Sequence, residues 1–142
     1  MTRAVMAVAL MAWAVVLGGC AEFERHQLAG ADQIAKLPTE TIVRSFAMAR
    51  TQGDFDDTMF DELVARNNWS TDKVEMLRDG TVQKGDTSEL LSIARGFPAT
   101  RSESSSVLGN YEYWRYGFLY DRYRTTFTLL DGRVVAWTST QF

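Results

Sequence analysis

The sequence predicts an α+β domain, with N-terminal helices packed on one face of a three- to four-stranded antiparallel sheet. Two observations carry that prediction. Apolar residues recur at helical spacing from about residue 38 to 95, and after Pro98 that periodicity gives way to aromatic and β-branched residues. Asp131-Gly132 then separates two strand-like runs, a two-residue hairpin signal because both turn positions need positive φ. Runs of helices followed by runs of strands indicate segregated layers rather than alternating βαβ units.

Each helix has its own punctuation. Pro38 suits a first turn, Ile42, Val43, Phe46, Ala47 and Ala49 form the apolar stripe, and Gly53 ends the run. A second helix is expected over Asp57 to Asn67, buried through Phe60, Leu63 and Val64. Ser70 or Thr71 caps a third, which packs through Val74, Met76 and Leu77 and stops at Gly80. A fourth runs from about Thr87 to Arg95, capped by Asp86 or Thr87 and closed by Gly96. Among the strands, Tyr111 to Tyr116, Arg122 to Leu130 and Arg133 to Thr140 are clear, and Ala99 to Ser102 is weaker. Ser102 to Asn110 reads as a serine-rich loop.

The first twenty residues have a different character. Arg3 is followed by an uncharged run to Leu17, then Gly18, Gly19 and Cys20, the only cysteine in the chain. A charged start, a short apolar region and small residues describe a secretory signal, and the span is too short for a comfortable transmembrane helix. The alternative is an ordinary secretory signal with an incidental cysteine. The chain thus divides into a signal peptide (1–19), an N-terminal segment (20–36) with mixed charge that reads as a flexible tether or a frayed helix, a helical extension (37–68) and an α+β domain (69–142). No second apolar run approaches membrane-spanning length. Loss of residues 1–19 removes Arg3 and leaves 14 basic against 18 acidic residues, a formal net charge of −4. That balance argues against nucleic-acid binding, which needs a basic footprint. With Cys20 the only cysteine, no disulfide forms within the chain and packing must stabilise the domain.

Counting pairs outward from Asp131-Gly132 sets Leu130 opposite Arg133, Leu129 opposite Val134, Phe127 opposite Ala136 and Thr126 opposite Trp137. Tyr123, Thr125, Phe127, Leu129, Val134 and Ala136 then face the helices. Arg122, Arg124, Arg133 and Trp137 share the other face, a candidate surface for a partner or for anionic headgroups; the alternative is a merely solvated sheet face. Of the aromatic cluster Tyr111, Tyr113, Trp114, Tyr116, Tyr120 and Tyr123, Trp114 and Tyr116 are expected in the core, and Tyr111 and Tyr113 on the outward side.

Catalysis and metal binding find little support. His26 is the only histidine and lies in the tether; no nucleophile-elbow motif accompanies it. Asp54, Asp56, Asp57, Asp61 and Glu62 depart from an EF-hand spacing and suit a helix start instead. No cofactor, metal or small-molecule substrate is expected, and the protein is read as a non-enzyme.

The Leu17-Gly18-Gly19-Cys20 junction resembles a bacterial lipobox. That resemblance implies cleavage before Cys20 and acylation of both its thiol and its new amino group. Gly85-Asp86-Thr87, Arg95-Gly96-Phe97-Pro98, Tyr113-Trp114-Arg115-Tyr116 and Phe127 to Val134 occur in an order that resembles the SmpA/OmlA family of small outer-membrane lipoproteins, the BamE-like domain. The family pattern is a Gly-Met-Thr helix start, a Leu-Gly-x-Pro helix end, a Trp-x-Tyr strand and a Phe-x-x-Gly-x-Val hairpin. The match covers about residues 70–140, with Asp86 where the family usually has methionine and added helical sequence before it. The resemblance implies two helices on a three-stranded sheet, related to the β-lactamase-inhibitor-protein fold. It also implies a lipid-anchored, periplasm-facing scaffold that assists outer-membrane protein assembly and envelope integrity, binding an envelope protein or anionic lipid. Ala21 after the cysteine leans towards the outer membrane, with inner-membrane retention left open. The alternative function is an inhibitor or ligand-binding protein of the β-lactamase-inhibitor-like fold.

Overall fold

The computed structural model describes residues 30–117 and 122–141. The signal peptide, Cys20, His26, most of the tether and Tyr120 lie outside the described residues. Among those described, five helices precede four strands: α1 (Ala31–Ile34), α2 (Thr39–Thr51), α3 (Asp57–Asn67), α4 (Thr71–Arg78), α5 (Ser88–Arg95), β1 (Thr100–Ser106), β2 (Gly109–Tyr116), β3 (Tyr123–Leu130) and β4 (Arg133–Gln141). The strands form an antiparallel meander in the order β1-β2-β3-β4. The fold is therefore α+β, as the change of periodicity at Pro98 predicts. None of the described helices is long and apolar enough to cross a membrane.

Local chemistry sets the helix ends. Asp56 accepts the Met59 N–H at 2.9 Å and starts α3. Ser70 accepts the Lys73 N–H at 3.3 Å, and Thr87 accepts that of Leu90 at 3.3 Å. The acidic cluster is thus a helix start, and its Asp57 also pairs with Arg78 at 2.7 Å. Gly96 ends α5 with φ 76°, and a Cβ there would sit 2.6 Å from Thr51 Oγ1. Only glycine lets α5 and α2 close at this end, where Thr51 also accepts the Phe97 N–H at 2.7 Å.

One core joins the layers. Ile34, Ile42, Phe46, Met59, Phe60 and Leu63 pack in the same cluster as Leu77, Leu91, Ile93, Trp114, Phe127, Leu129 and Val134. Residues 37–68 are therefore not an appendage to the α+β domain but half of its helical layer. The tether ends earlier than expected, since Ile34 is buried and α1 leans on α3.

Two arginines tie the helices together. Arg50 on α2 donates to Ala94 O (2.9 Å), Leu77 O (3.3 Å) and Arg78 O (2.8 Å), the carbonyl ends of α5 and α4. A cation there meets the negative ends of two helix dipoles. Burial first, then the neighbouring Arg95 and Arg78, lowers its pKa from the ordinary arginine value. Arg66 on α3 donates to Leu37 O (2.7 Å), Ala35 O (2.9 Å) and Thr39 Oγ1 (3.0 Å), fixing the entry of the chain.

The sheet differs from expectation in two places. The serine-rich segment is not a loop: Thr100–Ser106 pairs with Gly109–Arg115, and only Val107 and Leu108 lie in the turn. Its side chains are all exposed, so no face carries the apolar alternation by which a strand is recognised. The β3–β4 hairpin turns at Asp131-Gly132 with φ 48° and 77°, as predicted. Its register, however, slips after Leu129↔Val134, and the next pairs are Thr128↔Ala136 and Phe127↔Trp137. Val135 is the extra residue of a β-bulge. A bulge shifts every later side chain by one position, which pattern counting from the turn does not reveal.

Candidate functional site

The bulge redistributes the residues expected to form a binding face. Beyond it, Trp137 pairs with Phe127, their ring centroids 6.0 Å apart, on the helix-side face. Ala136 passes to the outward face in exchange. Trp137 therefore does not share a face with Arg124, although it stays 44% exposed where the helices no longer reach. Arg133 begins β4 at an outward register position, but its Nη1 donates to Gly85 O at 2.9 Å. That bond fastens the loop before α5 to the β4 edge, beside Gly85 N–H to Val134 O (2.7 Å) and Val134 N–H to Asp86 O (2.8 Å). Arg133 is thus a structural clasp. Arg122 is exposed at the bend entering β3, and Arg124 occupies an outward position opposite Thr140.

The expected outward tyrosines are outward. Tyr111 lies in a cross-strand row with Ser104 and Leu130, and Tyr113 with Ser102 and Thr128. Arg115, between Thr100 and Thr126, completes the surface. It escaped the sequence reading, although it stands two residues after Tyr113 and period-two alternation places both on one side. Arg115 is exposed, and its guanidinium makes no hydrogen bond or ion pair among the described residues. Thr100, Ser102, Tyr113, Arg115 and Thr126 border a shallow depression of about 240 Å³.

Charge sorts between the two faces. Among the described residues, no carboxylate occupies an outward register position in the four strands. The strand glutamates point the other way: Arg101 bridges Glu103 and Glu112, each at 2.9 Å, and Glu112 accepts the Trp114 indole N–H at 2.8 Å. The outward face is consequently cationic and aromatic on a chain whose overall charge is negative. Arginine forks match carboxylate or phosphate oxygens, and tyrosine rings add amphipathic contact area.

Trp114 and Tyr116 are core residues, as expected. Trp114 is 5% exposed, and the Tyr116 hydroxyl donates to Gly96 O at 3.0 Å. Burial raises the Tyr116 pKa well above its ordinary value, against a smaller lowering by Arg95. Asp86 is buried too. It accepts both the Lys73 ammonium (2.6 Å) and the Gln83 N–H (2.8 Å), so an ion pair holds the start of α5. A second recess of about 660 Å³ lies between α2, α5 and the helix-side face of β2, floored by Val43, Met48 and Trp114 and rimmed by Glu40, Glu89 and Arg101. Its mixed charges select no one ligand sign.

No protein-family model matches the chain, and neither the curated proteins nor the solved structures provide a match.

Proposed function

We propose that this protein is a lipid-anchored interaction protein of the bacterial envelope, held to a membrane through acylated Cys20. Its outward sheet face docks an acidic protein surface. The single observation that carries the docking reading is that face itself: Tyr111, Tyr113, Arg115 and Arg124 on one side of a four-stranded sheet, without a carboxylate among them. Arginine and tyrosine are enriched at the energetic centres of interfaces. The lipobox-like junction and the order of the Gly-Asp-Thr, Gly-Phe-Pro, Trp-x-Tyr and Asp-Gly elements favour a periplasm-facing scaffold of the outer membrane that assists assembly of its proteins. The lone histidine sits close to the anchor, so binding rather than chemistry is the expected activity.

The test is capture of the full-length protein from cross-linked envelopes, beside a Tyr113→Ala/Arg115→Ala double variant, with mass spectrometry of the amino terminus. The expected result is a diacyl or triacyl Cys20 and an acidic partner whose recovery falls at least tenfold in the variant, the loss of about 1.4 kcal/mol or more of binding. An acylated protein whose capture ignores the substitutions overturns the docking face. An unacylated, freely soluble protein overturns the anchor and favours the inhibitor alternative.

A further inference from the structure

The most exposed apolar side chains of the described residues are adjacent. Val107 is 103% exposed and Leu108 72%, and together they form the turn between β1 and β2. Ser105, Ser106, Gly109 and Asn110 flank them, so the tip carries no charge of its own. The tip is well formed. Leu108 N–H donates to Ser106 Oγ at 3.1 Å, and Asn110 N–H donates to the Asp131 carboxylate at 3.0 Å. A Cβ on Gly109 would meet that carboxylate at 2.7 Å, so the two hairpin turns lie against each other. A solvent-facing turn favours polar residues, and two fully presented aliphatic side chains at its apex need another explanation.

The end of the molecule at which they project supplies one. Ser88 N–H donates to Gly132 O at 2.9 Å, which sets the start of α5 beside the turns. Helices α2 and α5 run side by side in one direction. Their C-terminal ends meet through Thr51 and Phe97, and Glu40 near the start of α2 borders the same recess as Ser88 and Glu89. Arg66 clasps Ala35, Leu37 and Thr39 at that starting end. The chain that leads from Cys20 therefore enters the domain at the end where Val107 and Leu108 project. The stretch from Cys20 to Gly30 spans at most about 35 Å when fully extended, so the anchor keeps this end of the domain within that reach of its membrane.

We infer that the Val107-Leu108 tip inserts into the membrane that carries the acyl anchor, giving the domain a second point of contact and a fixed orientation. The inference rests on the acylation of Cys20. Charges near this end are mixed, with Lys84 and Arg133 against Glu40, Glu89 and Asp131, so the apolar pair and not electrostatic attraction drives the contact. In this orientation the strands stand across the membrane surface, and the outward face opens sideways to a protein partner.

Acylation would leave no free thiol on the wild-type chain, so Leu108→Cys introduces a unique one. The full-length acylated variant is labelled with an environment-sensitive nitrobenzoxadiazole probe. It is then reconstituted in phosphatidylethanolamine–phosphatidylglycerol vesicles with brominated acyl chains, beside a Thr140→Cys control from the opposite end of β4. The expected result is a blue-shifted emission, several-fold brighter in unbrominated vesicles and quenched by bromine, at position 108 and not at position 140. Equal response at both positions, or a water-like spectrum at 108, overturns the inference while Cys20 remains blocked. Wild-type protein that itself takes up the label overturns the anchor reading and the inference with it.

Discussion

The two faces of the sheet are built from the same four strands and treat their polar side chains in opposite ways. On the helix side, Arg101, Glu103, Glu112 and Trp114 satisfy one another, and the helices above them commit Arg50 and Arg66 to backbone carbonyls. On the outward side, Arg115 has no such partner among the described residues and Tyr113 is 38% exposed. The difference separates arginines that hold the fold together from one left facing solvent. A guanidinium already engaged by carbonyls stabilises the fold, whereas one presented beside aromatic rings on a bare sheet is available to a partner.

The comparison breaks most visibly at Phe127. It is 2% exposed and touches Tyr116 edge-on at 5.7 Å, with Arg95 over its ring at 5.5 Å. Phe127→Ala should cost about 3–5 kcal/mol, read as a lower denaturation midpoint. On the neighbouring outward position, Thr128→Ala should cost less than about 1 kcal/mol. Equal losses would mean that the outward face is covered.

Arg50 comes next. Arg50→Met keeps much of the aliphatic stem but removes the guanidinium from over Phe55 and leaves the carbonyls of Ala94, Leu77 and Arg78 without their donor. A loss of about 2–3 kcal/mol is expected from charged hydrogen bonds at two helix ends. Chemical denaturation of the variant checks it, and a near-neutral result would show that water replaces the guanidinium.

Trp137 tests the register. Stacked at the rim of the core, its replacement by alanine should cost about 1–2 kcal/mol and leave partner capture unchanged. A substitution that spares stability and abolishes capture would restore Trp137 to the binding face.

That residue also marks the boundary of what the sequence makes legible. Helix positions, caps and the Asp131-Gly132 turn follow from local rules, because apolar spacing and capping chemistry act within a few residues. The β-bulge at Val135 does not follow from them; it lies next to Val134, whose backbone bonds to Gly85 and Asp86, residues distant in sequence. Strand β1 was legible only as a weak strand over Ala99 to Ser102, because neither of its faces is buried and no alternation survives. Ile34 escaped because a four-residue helix has too few turns to show a period. Of the proposed docking face, Arg124 and the two outward tyrosines were legible by alternation. Arg133 keeps the outward register position expected of it, but that position does not disclose the Gly85 carbonyl it reaches.

The smallest effect is also the most specific. Tyr116→Phe removes one hydrogen bond to Gly96 O and should cost about 1 kcal/mol at neutral pH. In the folded protein burial raises the Tyr116 pKa above its ordinary 10.0. The unfolded chain therefore releases this proton first as pH rises. The contribution of Tyr116 is complete below about pH 10 and declines above it, by roughly 1.4 kcal/mol per pH unit until the folded group also ionises. Other tyrosines and lysines titrate in the same range, so the informative quantity is the difference between wild type and Tyr116→Phe, in which their effects largely cancel. That difference should favour wild type at pH 8, vanish near pH 11 and reverse beyond it, as measured by urea denaturation at each pH. A constant difference across the range would mean that the hydroxyl reaches water, and that the helix-side face is open beside Gly96 as it is beside Trp137.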